Sequence, residues 1–325
     1  MSVHSAAELL ALAADPGWAD GADAELLAVR LDGAADLTDA DRARLGRWLG
    51  ELPVPVIGIG DAGPLHDAVD VVVATTDELE RLVGRIRENP RAAAVLVQVL
   101  RSTARATIMD GLVLESLAYG ALQASGEFQR WLEKRGAASP AEPDRPVLRM
   151  ERRGERLDIT LDSPRNRNAL SAALRDALTE AFTLVAMDDG IREVHVRGNG
   201  PCFSAGGDLT EFGTSRDPAA AHRVRMRRMP ARYLAAAADR YHFHLHGACI
   251  GAGIELPAFA GRITATADAF FQLPEVAMGL IPGAGGCVSI PRRIGRQRTA
   301  WLALSNERID AAKALEWGLI DAIAR

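Results

Sequence analysis

Short apolar runs bounded by turn residues alternate with longer stretches of helical period along this 325-residue chain. In the first part the pattern predicts strands over 26–31, 54–59 and 70–74, and helices over 40–49, 78–87 and 92–100. Asn89-Pro90 breaks the last two helices apart. A long helix-like run follows over 112–132. The segment 138–146 is proline-rich and polar and reads as a linker. Beyond it, 147–152 and 156–161 read as strands paired about a turn at Gly154. Leu174, Leu178 and Phe182 fall four apart, on one face of a helix over 171–185. Val194-His195-Val196 is a short strand feeding a glycine-rich turn, and strand, turn and helix then repeat. That order fits an α/β spiral. The organisation expected is an N-terminal extension over 1–137, a linker over 138–146 and a core over 147–325.

Composition narrows the class without naming a chemistry. Hydrophobic content of 48% and charged content of 25% are those of an ordinary globular chain, with room for one large domain or two modest ones. A net charge of −5 gives no reason to expect nucleic acid as a partner. Cys202, Cys249 and Cys287 are too few for a disulfide framework, and no CxxC pair suggests zinc. With no charged-then-apolar leader and no apolar run long enough to span a bilayer, the expected location is cytoplasmic and no membrane partner is expected.

Candidate chemistry gathers in two glycine-rich turns and two glutamates. Ser204-Ala205-Gly206-Gly207-Asp208 is the first turn, and Gly251-Ala252-Gly253-Ile254-Glu255 is the second. Leu273-Pro274-Glu275 leads into Pro282-Gly283-Ala284-Gly285-Gly286. Turns of small residues let backbone N–H groups approach a ligand closely. Two such groups aimed at one carbonyl oxygen make an oxyanion hole, and two nearby carboxylates supply proton transfer. Either turn alone is better explained as a tight turn. Glu255 could simply cap a helix, and Glu275 could sit in a surface turn.

Five stretches in fixed order resemble the crotonase (enoyl-CoA hydratase/isomerase) superfamily from Val147 to the C-terminus. They are Ile159 to Pro164 with Asn168-Ala169-Leu170, Phe203 to Leu209, His246-Gly247 through Leu256, Leu273 to Gly286, and Ala314 to Asp321. The resemblance implies a ββα spiral that binds an acyl-CoA thioester. The N–H groups of Ala205 and Ala252 would hold its carbonyl oxygen. Glu255 would act as base on a water and Glu275 would deliver a proton to Cα. A helix starting near Gly253 would aim its N-terminal dipole at the same oxygen. Ser204, Gly206 and Gly251 would shape the substrate turns, and Asp208 would be a structural acceptor. Arg165 and Arg167 fall where relatives place basic residues near CoA phosphates, although a solvated loop explains them equally. Arg223, Arg225, Arg227 and Arg228 read as a solvated helix face, with phosphate attraction the alternative. No cofactor is implied beyond the coenzyme A of the substrate, and no metal. A homo-oligomer, trimer or hexamer, is expected. Hydration is the leading reaction because both glutamates are present. The rivals are enoyl-CoA isomerisation, a cofactor-free dioxygenase of an aryl-acetyl-CoA, and a non-catalytic acyl-CoA-binding or assembly subunit.

Three departures from the family pattern stand out. His242, His244 and His246 alternate, so on a strand all three would share a face. Packed or hydrogen-bonded histidines are the expectation there, with metal binding the minor alternative. Ala252 replaces a usual glycine, which a backbone donor tolerates if φ is negative. Finally, Val69-Asp70-Val71-Val72, Asn89-Pro90-Arg91-Ala92, Phe128 and Glu133-Lys134-Arg135 resemble the family's C-terminal tail, although they precede the core. Residues 24–135 therefore read as a degenerate copy of the fold whose tail helices cover the core. An unrelated helical extension is the alternative.

Overall fold

The computed structural model describes residues 2–15, 25–32, 37–60, 63–137 and 146–324. Most of the expected linker, 138–145, lies outside the described residues. The chain opens with a four-stranded parallel sheet of β1 (Val3–His4), β2 (Leu27–Arg30), β3 (Val56–Ile59) and β4 (Val71–Val73), in that spatial order. Its middle strands are almost wholly buried, which is why they read as continuous apolar runs. The helix Asp39–Glu51 lies between β2 and β3 and is capped by the Thr38 side chain.

Four helices follow β4: Thr76–Glu88, Pro90–Thr103, Ile108–Gln123 and Gly126–Arg135. Pro90 opens its helix at a position where a missing N–H is harmless. The single helix expected over 112–132 is in fact two. The Ser125 side chain accepts the Phe128 N–H at 3.3 Å and starts a new helix at Gly126.

The second half begins with a hairpin, β5 (Leu148–Arg153) and β6 (Arg156–Leu161), turning at Gly154 as expected. Then come β7 (Glu193–Gly198), β8 (Tyr241–Leu245), β9 (Ala248–Ile250), β10 (Arg262–Ala265), β11 (Phe270–Gln272), β12 (Ile309–Asp310) and β13 (Ala322–Ile323). The larger sheet runs β13-β10-β8-β7-β6-β5, parallel except for the hairpin, and β12-β11-β9 form a smaller one. The helix Ala172–Met187, capped by Ser171, buries Leu174, Leu178 and Phe182 as its periodicity predicts.

One apolar core runs through both halves. Ile57, Val71, Leu96 and Phe128 belong to the same buried cluster as Phe271, Leu280, Val288 and Leu304. Polar ties cross the same seam. Buried Asp70 pairs with Arg101 of its own half and with Arg296, 3.1 Å away, from the other. The Thr103 hydroxyl donates to the Cys287 carbonyl at 2.7 Å. These contacts bring the helix Ile108–Gln123 against the segment that carries the candidate site.

Candidate active site

The two glycine-rich turns pack directly on one another. Ser204 bridges to Cys249, the Ser204 N–H donates to Ala248, and the Ile250 N–H donates back to Ser204. The approach is so close that a Cβ at Gly206 would lie 2.9 Å from the Ile250 carbonyl, and one at Gly253 2.7 Å from that of Ser204. The Ser204 hydroxyl donates to the Asn168 carbonyl at 2.8 Å and accepts the Gly206 N–H at 3.2 Å, fixing the first turn. Asp208 accepts from the Thr210 N–H and hydroxyl and from Asn166.

The backbone N–H partners correct one expectation. Ala205 donates its N–H to the Arg167 carbonyl at 3.0 Å, so this group cannot hold a substrate oxygen. Leu170 and Asp208 make the bridge beside Gly207, and the Gly207 N–H itself has no partner among the described residues. In the second turn the Ala252 N–H is likewise without one, and Ala252 sits in a helical turn with negative φ. Gly207 and Ala252, rather than Ala205 and Ala252, are the available donors. The helix expected from Gly253 is a single turn, Ala252–Glu255, followed by a 3-10 turn at Pro257–Phe259. It is too short for the dipole argument.

Glu255 and Glu275 meet across Gly251. The position a Cβ would take at Gly251 is 2.3 Å from Glu275 Oε1 and 3.7 Å from Glu255 Oε1, so the two oxygens are at most the sum of those distances apart. Only glycine fits there, and its φ of 49° with ψ of −121° is a conformation side chains resist. Glu255 Oε2 accepts the Ala284 N–H at 2.7 Å and the Gly286 N–H at 2.9 Å. Glu275 Oε2 is buried and has no hydrogen-bond partner among the described residues. Burial raises Glu255 to about 7, against the pull of its N–H donors. Burial, and then the neighbouring Glu255 charge, holds Glu275 well above the ordinary carboxylate range. Two facing carboxyls whose surroundings separate their proton affinities suit one base and one acid.

The sequence did not suggest two further members, Glu115 and Tyr119, on the helix Ile108–Gln123. Glu115 is fully buried and accepts the Gly285 N–H at 2.7 Å and the Cys287 N–H at 2.8 Å. Tyr119 packs so tightly on Gly283 that a Cβ there would lie 2.5 Å from its ring. Burial pushes its phenol up, with Arg225 opposing and the three glutamates reinforcing the shift. The available signal was a lone acidic residue on an otherwise apolar helix face.

Arg225 is not on a solvated face. It stacks over Tyr119 at 4.9 Å, and its guanidinium donates to the Ser116 hydroxyl and carbonyl and to Gln123. The Arg165 and Arg167 side chains are exposed. Arg167 takes a left-handed φ of 58°, and its carbonyl orders the first turn.

The histidine pattern is redrawn by the sheet. His242 and His244 lie on β8, but His246 falls past its end and bonds to the Gly200 carbonyl at 3.0 Å. His195 of β7 takes its place, because register sets His195 beside His242. The nitrogens of His195, His242 and His244 lie within 4.8 Å of one another, a set able in principle to ligate a transition metal. His195 Nδ1 and His244 Nε2 are 2.7 Å apart, a direct hydrogen bond. Two ligands of one tetrahedral ion would stand about 3.3 Å apart at ordinary zinc–nitrogen distances. Burial lowers His242 to about 4 and His244 to about 3, and neighbouring Arg197 and Arg262 add to the effect on one or both. Those guanidinium charges also oppose a metal cation. The arrangement is a hydrogen-bonded ladder that Thr264 and Glu193 complete.

Residues 153–324, more than half the chain, match the family model described as enoyl-CoA hydratase/isomerase. The chain belongs to that family. It is 35% identical over 162 residues to the 2,3-dehydroadipyl-CoA hydratase of Escherichia coli K12, covering 50% of this chain and 63% of that protein. It is 31% identical over 179 residues to the mitochondrial Delta(3,5)-Delta(2,4)-dienoyl-CoA isomerase of Mus musculus, covering 51% and 55%. The chain thus spans less than two thirds of the length of these curated relatives. Among solved structures it resembles a putative enoyl-CoA hydratase from Rhodopseudomonas palustris, with 33% identity, a TM-score of 0.51 and 57% and 72% of the two chains covered. The enoyl-CoA hydratase of Thermoplasma volcanium matches with 30% identity, a TM-score of 0.50 and 59% and 74% covered. The fold is the crotonase-like α/β fold. Among the described residues no helix is long and apolar enough to cross a membrane.

Proposed function

We propose that this family member hydrates the 2,3-double bond of an acyl-CoA thioester. The observation that carries the reading is the buried Glu275 carboxyl, whose Oε1 faces Glu255 across Gly251 and whose Oε2 has no hydrogen-bond partner among the described residues. An unpartnered buried carboxyl is costly to the fold and makes sense where a substrate or water completes it. In the proposed step Glu255 takes a proton from water as the water oxygen bonds to C3. The π electrons move through C2 onto the thioester oxygen, which the Gly207 and Ala252 N–H groups hold as an enolate. The enolate then collapses and C2 takes a proton from Glu275. Each lost oxyanion donor would cost ~2.7–4 kcal/mol of transition-state stabilisation. Exposed Arg165 and Arg167 are placed as contacts for the CoA phosphates, and no cofactor beyond the substrate's coenzyme A is invoked. Residues 24–135 are read as a degenerate copy of the fold whose tail-like helices cover residues 147–325, supported by the apolar cluster that the two halves share.

The test is a screen of enoyl-CoA thioesters in H₂¹⁸O with the parent protein and Glu275→Gln. The expected result is label in the 3-hydroxyacyl product and a loss of about 10²–10⁴-fold on substitution, the range for a general acid. Double-bond migration without label would replace hydration by isomerisation. Undiminished turnover by Glu275→Gln would remove Glu275 from the mechanism.

A further inference from the structure

Four consecutive N–H groups at the start of the helix Gly286–Ile294 are divided between two carboxylates from opposite halves of the chain. Ala284 and Gly286 donate to Glu255, at 2.7 and 2.9 Å. Gly285 and Cys287 donate to Glu115, at 2.7 and 2.8 Å. Both acceptors are buried, and the Ser289 hydroxyl anchors the Glu255 backbone carbonyl at 2.7 Å. We propose that Glu115, supplied by the N-terminal half, is a positioning residue for Glu255: by taking the alternate N–H groups it fixes which two Glu255 can bind and so aims Glu255 Oε1 at Glu275. This rests on the hydration reading for its consequence in catalysis, but not for its geometry.

The physical case is one of competition. Without Glu115, the Gly285 and Cys287 N–H groups would be buried and unpaired, and unpaired buried donors seek any acceptor within reach. Glu255 is the adjacent one. Extra N–H bonds would stabilise its anion and lower its proton affinity. Glu115 also shares a helix with Tyr119 and with Ser116, whose hydroxyl holds His222 and Arg225 at 2.9 Å each. The other titratable or charged groups around the two carboxylates are therefore Glu275, Tyr119, Cys287 and Arg225. Cys287 and Tyr119 are pushed up by burial, so neither is charged near neutrality. The N-terminal extension thus reaches the centre of the site.

The test compares the full-length parent with Glu115→Gln, which keeps the shape but can accept only through its carbonyl oxygen. Two readouts are taken: the pH profile of turnover, and a ¹³C carboxyl titration of Glu255, assigned with Glu255→Gln, which needs no activity. The expected outcome is a 10- to 100-fold fall in kcat with KM little changed, and a Glu255 midpoint moved to lower pH together with the acid limb of the profile. A merely structural Glu115 would lower the rate and leave both midpoints in place, and that result overturns the proposal. If the parent turns over no enoyl-CoA thioester, the hydration reading falls, while the carboxyl titration still decides the positioning role. Should Glu115→Gln fail to fold, backbone ¹⁵N shifts of the parent decide. Ala284 and Gly286 are expected to track the Glu255 titration most strongly, and equal tracking by Gly285 and Cys287 would overturn the division of donors.

Discussion

Gly251→Ala adds one methyl group at the meeting point of the carboxyls of Glu255 and Glu275. Its first effect is on the backbone: at φ 49° and ψ −121° any side chain is strained, at about 1–3 kcal/mol. Its second effect is local. The methyl would lie 2.3 Å from Glu275 Oε1, whereas ordinary contact begins at 3.4 Å, so Glu275 must withdraw by about an ångström. Glu255 Oε1, at 3.7 Å, need not move. A displacement of about 1 Å at a reacting group typically lowers the rate by about 10²-fold. The expected result is kcat for crotonyl-CoA reduced by about that factor, with KM changed far less, and urea unfolding weakened by about 1–3 kcal/mol. Gly46→Ala is the comparison, because its Cβ meets nothing within 4 Å in the helix Asp39–Glu51. It should gain about 0.5–1 kcal/mol and leave kcat unchanged. If Gly251→Ala loses stability as expected but keeps kcat within twofold of the parent, the facing pair is not the working geometry.

The pH profile of kcat/KM should be bell-shaped. Its acid limb lies near 7 because Glu255 must be ionised to act as base, and its alkaline limb reports Glu275, which must stay protonated. An acid limb near the ordinary carboxylate range would refute the assignment. The same raised carboxyls bind protons more tightly in the folded chain than in the unfolded one. Their contribution to stability is therefore present at low pH and declines as pH rises through the folded-state values, measurable as a falling urea midpoint. Asp70→Asn leaves Arg101 and Arg296 without their shared counter-charge at the seam between the halves. A loss of about 3–5 kcal/mol is expected from urea unfolding, and a loss under about 1 kcal/mol would show that the pair does not tie the halves. A fragment beginning at Pro146 exposes the faces that Leu96, Phe128 and Glu115 cover, so it should fail to fold cooperatively. A fully active fragment would refute the covering role of the N-terminal helices.

Features set by near neighbours were present in the sequence. The strand runs of β2, β3 and β4, the Ser171 cap with its Leu174, Leu178 and Phe182 face, and the Gly154 hairpin depend on residues a few positions away. The ordered stretches and the two glutamates sufficed to identify the family. What failed locally did so because a single side chain, Ser125, ended a run whose periodicity continued through it. Tertiary structure alone decided the rest. Ala205 could not be excluded as a donor until Arg167, distant in sequence, was found to hold its N–H, and His195 joined His242 only through sheet register. Glu115 reaches Gly285 across 170 positions. No periodicity carries such a contact, because it exists only once two separate apolar faces have closed over it.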